Sequence, residues 1–315
     1  MPSSAVSTFT DPDEYAASIR GTTAEWTITE RGQFTAKLTR IDLHRLWMQR
    51  QYDNLPRVAH SAIIKGRAAI TFPTRPGPTQ LSGGAEMQAN NIARLPEGVS
   101  SFLHSSGSAS WGAMSLSMED MDSVGAAMVG CDLTAPRDRL IVTPPMAAMA
   151  KLQRLHEAAG RLAEDAPEII SHPEAARGLE QALIEAMVDC LASPKARENT
   201  SAQGQHAIVM HRFRRVVEEN PEQPLYIPEI CKVVGVSSRT LQACCHEHLG
   251  MGPKHYLLLR RMNLARGALR QSAPDTTSVT ETATRYGFWQ LGRFAVEYHS
   301  LFGESPSATL AHQSA

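Results

Sequence analysis

Residues 277–306 read TSVTETATRYGFWQLGRFAVEYHSLFGESP, and the reading of this stretch decides the fold. Val279, Thr282, Ala283 and Tyr286 recur at helical spacing, which predicts a short helix with one buried stripe. Gly287 follows where a helix C-terminus calls for a left-handed residue, a conformation that glycine adopts at least cost. Phe288 reads as a buried plug. A second helix is predicted from about Trp289, burying Phe294, Tyr298 and Leu301 or Phe302, until Gly303 stops it. Two short helices joined by a tight glycine turn, the second with polar residues early on its exposed face, make a helix-turn-helix. An ordinary helical hairpin would read the same way if the pattern stood alone.

It does not stand alone. The stretch IPEICKVVG at 227–235 aligns with VTETATRYG at 279–287. With one residue inserted, Leu241 matches Phe294, Cys245 matches Tyr298, Leu249 matches Phe302, Gly250 matches Gly303 and Pro253 matches Pro306. Two copies are too few for a solenoid. Between them, 254–271 (KHYLLLRRMNLARGALRQ) is one uninterrupted helical pattern, starting after Pro253 and ending before a Ser-Ala-Pro-Asp break. A helix of that length spans roughly 27 Å at 1.5 Å per residue, close to the roughly 34 Å turn of B-DNA. Two recognition helices on such a spacer can enter successive major grooves on one face of a duplex.

The segment from about 205 to 308 resembles the DNA-binding domain of the AraC/XylS family of transcription regulators. The resemblance rests on Ala283, Tyr286, Gly287, Phe288 and Phe294, on the R-M-x-x-A-R-x-x-L pattern from Arg261 to Leu269, and on the closing L-F-G-x-S-P from Leu301 to Pro306. It covers about a third of the chain. The sequence departs at Cys245, where the resemblance implies an aromatic residue, and a looser first subdomain is expected there. The resemblance also implies activation of a promoter by contact with RNA polymerase.

Base-reading candidates follow from side-chain chemistry at the start of each second helix. Arg pairs with guanine and Gln with adenine, and residues near a helix N-terminus reach base edges. Arg239 and Gln242 are assigned to bases in the first copy, with Ser237 and Ser238 on phosphate or capping the helix. In the second copy Trp289, Gln290 and Arg293 are expected to be exposed, and Gly292 lets backbone approach the DNA. Lys254 completes the set of expected DNA contacts. The Arg212, Arg214 and Arg215 run in the preceding helix (206–220) could touch phosphate or simply face solvent.

Charge distribution agrees with this placement. From Gln205 onward there are 12 Lys+Arg against 9 Asp+Glu, a net of +3, leaving 19 against 23 in the rest of the 315 residues. A mildly basic C-terminal part suits phosphate contact. The first 18 residues have neither a basic start nor an apolar run, and no stretch approaches the roughly 18 apolar residues of a membrane span. Five cysteines (Cys131, Cys190, Cys231, Cys244, Cys245) without a C-x-x-C pair read as reduced thiols, and a cytoplasmic protein is expected. A redox sensor at Cys244-Cys245 is the less favoured reading.

The N-terminal part has β texture. Residues 1–20 are expected to be a loosely held start. Alternating stretches predict strands at 25–30, 34–41, 43–51, 58–65, 67–72, 91–95 and 110–116, separated by Pro- and Gly-rich breaks. Ser82-Gly-Gly84 reads as a hairpin tip. Many short strands with frequent turns predict a cupin-like β-barrel or jelly roll, weakly similar to the sensory domains of AraC-type regulators. The mouth of such a barrel is a candidate small-molecule pocket, with Trp47, Arg50, His60 and Trp111 as ligand candidates and Met48 and Phe72 also inward; core filling is the alternative for the aromatics. His44, His60 and His104 are isolated, with no H-x-H, so no metal site is assigned. No G-x-S-x-G, H-E-x-x-H or phosphate-loop pattern appears, so no catalytic residue or cofactor is assigned.

After Ser117 the pattern turns helical. Stripes at 144–163 (Met146, Met149, Leu152, Leu155, His156, Leu162) and 172–191 (Ala176, Leu179, Leu183, Met187, Leu191) pack either within the chain or across a homodimer. The expected organisation is α+β multidomain: a cupin-like ligand-sensing domain at 1–140, a helical connector with dimerisation helices at 141–195, a linker at 196–205, and an all-α double helix-turn-helix domain at 206–315. The function expected is a sequence-specific regulator, of the activating kind, that binds double-stranded promoter DNA and answers to a small-molecule effector as a homodimer. A ligand-independent dimeric regulator and a barrel enzyme with an accessory DNA-binding domain are the alternatives.

Overall fold

A computed structural model describes every residue except 96, 99, 131, 134–139, 193–194, 198–200, 274 and 312–315. The N-terminal half is built on two antiparallel sheets. Its elements are β1 (Ser3–Phe9), α1 (Pro12–Ser18), β2 (Thr22–Ile28), β3 (Ala36–Asp42), β4 (Trp47–Asp53), β5 (Arg57–Ile63) and β6 (Arg67–Pro73). They continue with β7 (Gln80–Ser82), β8 (Ala85–Glu86), β9 (Ile92–Leu95), β10 (Ser100–Ser105) and β11 (Ala109–Ser117). A connector follows: α2 (Met118–Val129), β12 (Leu140–Thr143), α3 (Met146–Asp165), α4 (Pro167–Ser171), α5 (Pro173–Ala192) and β13 (Lys195–Arg197). Helices α6 (Ser201–Glu219), α7 (Ile227–Val234), α8 (Ser238–Leu249), α9 (Pro253–Gln271), α10 (Val279–Arg285), α11 (Leu291–Phe302) and α12 (Pro306–Ala311) form the C-terminal domain.

One sheet has eight strands in the order β1-β3-β4-β11-β6-β9-β12-β13, and the other five in the order β2-β5-β10-β7-β8. The expected barrel takes the form of two facing sheets that do not close. Closure is one way to cover sheet faces and edges; here helices cover the outer faces instead. On the eight-stranded sheet, Ile41, Met48, Ile70, Phe72 and Met114 pack against Met149, Leu152 and Ala159 of α3 and Leu183 and Met187 of α5. Apart from Met146, which is exposed at the start of α3, the apolar stripes of both connector helices are therefore packed within the chain. On the five-stranded sheet, Val58 and Phe102 enter the core of the C-terminal domain beside Phe213, Leu241, Leu249 and Tyr256.

The chain start is a correction. Residues 3–9 form an edge strand in register with β3, from Ser3 opposite Asp42 to Phe9 opposite Ala36. Helix α1 is then capped by Asp11, whose Oδ1 accepts from the Asp13 and Glu14 amides. The strand SSAVSTF carries only small, polar and scattered apolar side chains, so its backbone pairing left little trace in hydropathy. Strand β10 was missed as well, since SSFLHS alternates poorly. The strand expected from Leu43 starts at Trp47, because residues 43–46 turn, with the Leu43 amide donating to the Leu46 carbonyl. The expected linker is shorter, with β13 at 195–197 and α6 starting at Ser201; residues 198–200 and Cys131 lie outside the described residues.

Candidate nucleic-acid interface

Each helix-turn-helix is held by its glycine and its serine. Gly235 ends α7 at φ +80°, its amide donating to the Cys231 carbonyl, and Val236 N–H donates to the same oxygen. Ser237 then caps α8, its Oγ accepting from the Thr240 amide at 3.1 Å. The second copy keeps the glycine but moves the serine: Gly287 turns the chain at φ +77°, Ser278 caps the first helix α10 by accepting from the Glu281 amide, and α11 starts after Gln290 without a side-chain cap. Phe288 is buried with its ring 4.7 Å from Phe294.

Leu241, Cys244, Cys245 and Leu249 bury one side of α8, and Phe294, Tyr298 and Leu301 bury one side of α11. That leaves Ser238, Arg239 and Gln242 exposed in the first copy, and Trp289, Gln290, Gly292 and Arg293 in the second. Trp289 is 82% exposed, which is unusual for so large an apolar ring and suits a contact surface. Arg293 Nε donates to Glu297 Oε1 at 2.7 Å, which holds the guanidinium along the helix surface. Lys254 is exposed at the N-terminal end of α9.

Helix α9 has 19 residues, about 28 Å at 1.5 Å per residue, and lies between the two copies. Its first half packs into one core through Tyr256 and Leu257 and its second half into the other through Met262, Ala265 and Leu269. Cys245 is fully buried, in the same core as Phe213 from α6 and Tyr256 from α9, whose ring centres lie 6.1 Å apart. The arginine run on α6 also has other duties. Arg212 Nη1 donates to the Val234 carbonyl at the end of α7, Arg214 is largely buried beside Glu218 and His60, and Arg215 pairs with Glu219.

The C-terminal domain is docked on the outer face of the five-stranded sheet. Arg260, almost fully buried, donates from Nε and Nη2 to the two Glu25 carboxylate oxygens at 2.6 and 2.8 Å. Asn263 behaves as an extra strand residue: its Oδ1 accepts from the Ile28 amide and its Nδ2 donates to the Ile28 carbonyl, both at 3.0 Å. Arg270 Nε lies 2.8 Å from Asp11 Oδ2. Among the described residues, no hydrogen bond or ion pair joins Ser238, Arg239, Gln242, Trp289, Gln290 or Arg293 to the N-terminal domain. Docking leaves the recognition surface open.

The ligand candidates separate into three places. Trp47 and Trp111 line a cavity of about 60 Å³ between the sheets, with Trp26, Gln49, Ser61 and Arg57. Arg20 and Arg67 stack on Trp47 with their guanidinium carbons 3.7 and 3.5 Å from its ring centre. Arg57 is buried over the Trp26 ring and pairs with Asp53, whose carboxyl burial pushes above the usual range. His60 is a correction: it points to the opposite face of β5, with Nδ1 3.1 Å from Glu218 and Nε2 3.4 Å from Arg214. Burial, then Arg214 and Arg260, depress its pKa to about 3. Arg50 is a second correction, since it faces outward from β4 toward α3. His44, His60 and His104 do not converge; His104 lies against Gly250 of the C-terminal domain.

A helix-turn-helix domain family matches residues 230–312. The probable thc operon regulatory protein of Rhodococcus erythropolis is 43% identical over 94 residues, which are 30% of this chain and 28% of that protein. The XylDLEGF operon transcriptional activator 2 of Pseudomonas putida is 37% identical over 102 residues, 31% of this chain and 65% of that protein. The chain thus spans less than two thirds of the length of these relatives. A solved probable AraC family transcriptional regulator from Rhodopseudomonas palustris is 30% identical over 33% of this chain and 95% of its own, with a TM-score of 0.30.

Proposed function

The chain belongs, through its C-terminal domain, to the AraC/XylS family of helix-turn-helix transcription regulators, and from that membership we propose that it activates a promoter in response to a small molecule held by its N-terminal domain. The DNA-reading groups are Arg239 and Gln242 in the first copy and Gln290 and Arg293 in the second. Trp289 packs on sugar or base edges. Gly292 permits close backbone approach. Lys254, Ser237 and Ser238 contact phosphate, the serines in addition to capping. RNA polymerase is the partner that activation requires, and a homodimer would present four such helices to paired half-sites.

One observation carries the sensing half of this reading: the five-stranded sheet is a partition. Arg57, Ala59 and Ser61 face the cavity from β5, while Val58 and His60 on the same strand face the C-terminal domain. An effector in the cavity touches the wall on which the DNA-binding domain is docked. A volume of about 60 Å³ admits about four to six water-sized groups, so the effector is small, mostly apolar and aromatic-compatible, or enters as the tryptophans shift.

The test is a footprint of the full chain on genomic fragments at moderate salt, repeated with Trp111→Ala and Arg293→Ala. The reading expects a protected promoter that Arg293→Ala loses. It also expects a response to an added metabolite that Trp111→Ala loses while DNA binding persists. Equal affinity for promoter and bulk fragments would end the regulator reading, and an unchanged metabolite response in the Trp111 variant would end the sensing half alone.

A further inference from the structure

A second cavity, about 350 Å³, lies on the other side of the eight-stranded sheet, between the faces of β3 and β4 and the exposed side of α3. Its chemistry is opposite to that of the first. Arg50 contributes from β4, Lys37 from β3, Arg75 from the end of β6 and Arg161 from α3, with Thr74 and Ser110 supplying hydroxyls. Two acids also line it, Glu157 and Glu164. Lys37 and Glu164 already neutralise one another at 2.7 Å. Three guanidinium groups and the Glu157 carboxylate remain, an excess of two positive charges. Among the described residues no carboxylate oxygen lies within 4 Å of Arg50, Arg75 or Arg161.

Arg50 makes this more than a charged surface. Its Nη1 is buried and has no hydrogen-bond partner, and burial lowers its pKa against the partial support of Glu157. A guanidinium nitrogen withdrawn from water without a hydrogen-bond partner is costly, and folded proteins rarely keep one so. The helix above makes room for it: a Cβ on Gly160 would overlap Arg50 Cδ and come within 2.8 Å of Nε. Behind it, His156 is fully buried with its pKa down to about 3, so the neighbouring imidazole adds no charge of its own near neutrality.

We infer that this cavity binds a small dianion whose charge is carried on oxygen, a dicarboxylate or a phosphate monoester, through the Arg50 guanidinium with Arg75 and Arg161 closing over it. A planar guanidinium accepts either group in a two-point contact, and Thr74 and Ser110 donate to the remaining oxygens. The bound anion would tie α3 to β4 and β11. The site shares no wall with the tryptophan cavity other than the sheet itself, and its existence does not depend on that cavity being a sensor.

Isothermal titration of the full chain with succinate, phenyl phosphate and the uncharged control succinamide tests this at fixed ionic strength. Saturable binding is expected for one or both dianions and not for succinamide; succinate alone assigns a dicarboxylate, phenyl phosphate alone a phosphate monoester. Arg50→Gln is expected to abolish it, and Trp111→Ala to leave it unchanged. The Arg75→Gln/Arg161→Gln pair alters exposed positions that the fold does not need, and is expected to raise Kd at least about tenfold. That pair decides the matter should Arg50→Gln fail to fold. No binding of either dianion, or binding equal in wild type and the Arg75/Arg161 variant, overturns the inference.

Discussion

Arg293 is held by Glu297 before it meets DNA, so reading a base means exchanging one carboxylate for a base edge. Arg293→Ala is expected to cost about 1–3 kcal/mol on the promoter and much less on random DNA, measured by competition at constant salt. A loss equal on both would make it a phosphate contact. Gly287→Ala is expected to destabilise the C-terminal domain by about 1 kcal/mol or more in thermal unfolding. The residue stands at φ +77°, and an added Cβ would also press on Arg261 Nη1 and Pro224. His60 gives a pH dependence. Its folded pKa of about 3 lies below the ordinary 6.5, so the unfolded chain takes up the proton first. Stability is therefore expected to fall as pH drops from about 6.5 toward 3, and His60→Gln to flatten part of that slope in denaturant titrations at pH 7.5 and 5.5. These positions also mark what sequence could give. Arg239, Gln242 and Arg293 were legible because helical periodicity fixes which side is buried and leaves the rest to solvent. His60 and Arg50 were not, because strand alternation assigns a residue to one of two faces without saying what covers each.

At the level of elements, the double helix-turn-helix was legible nearly to the residue, since glycines and a closing proline punctuate it twice, one residue apart in spacing. Spacer helix α9 runs from Pro253 to Gln271, one residue longer at its start than the pattern indicated. Strands β1 and β10 were not legible: their stability comes from partners remote in the chain, Ser3 to Asp42 and Phe102 to His60, and pairing of that kind leaves no local signature. The connector helices carried a stripe that fitted two readings. Apart from Met146, the stripe lies within the core on the eight-stranded sheet, which leaves mainly the other faces of α3 and α5 for any dimer contact. Tyr298 illustrates how α11 and α12 are joined, with its buried hydroxyl donating to Thr309 Oγ1 at 2.8 Å. Tyr298→Phe is expected to lower domain stability by roughly 1 kcal/mol, read as a lower midpoint in urea.

For the molecule as a whole, the two domains are joined by a few strong contacts. Glu25→Ala would strand the Arg260 guanidinium, which is nearly buried, whereas Glu25 itself is about one-third exposed. A cost on the order of 2 kcal/mol is expected, reduced from that of a fully enclosed pair by the water around Glu25. Calorimetry should then resolve two unfolding transitions where the wild type shows one. Retention of a single transition at the same temperature would mean that the clasp at Asn263, the Arg270–Asp11 pair and the Phe102–Tyr256 contact, with ring centres 5.9 Å apart, hold the domains without Glu25.

The clasp between Asn263 and the Ile28 backbone sits partway along α9, and this position has a mechanical consequence. It serves as a fulcrum. If strand β2 rocks when the space beside Trp26 is filled, the helix moves with it, because Asn263 grips both main-chain groups of Ile28 and Arg260 grips Glu25 on the same strand. A pivot of about 2° over a rod of about 28 Å displaces one end relative to the other by roughly 1 Å. Hydrogen bonds to base edges tolerate little more than that, so on the proposed reading a nudge at the strand would be felt at the distant groove.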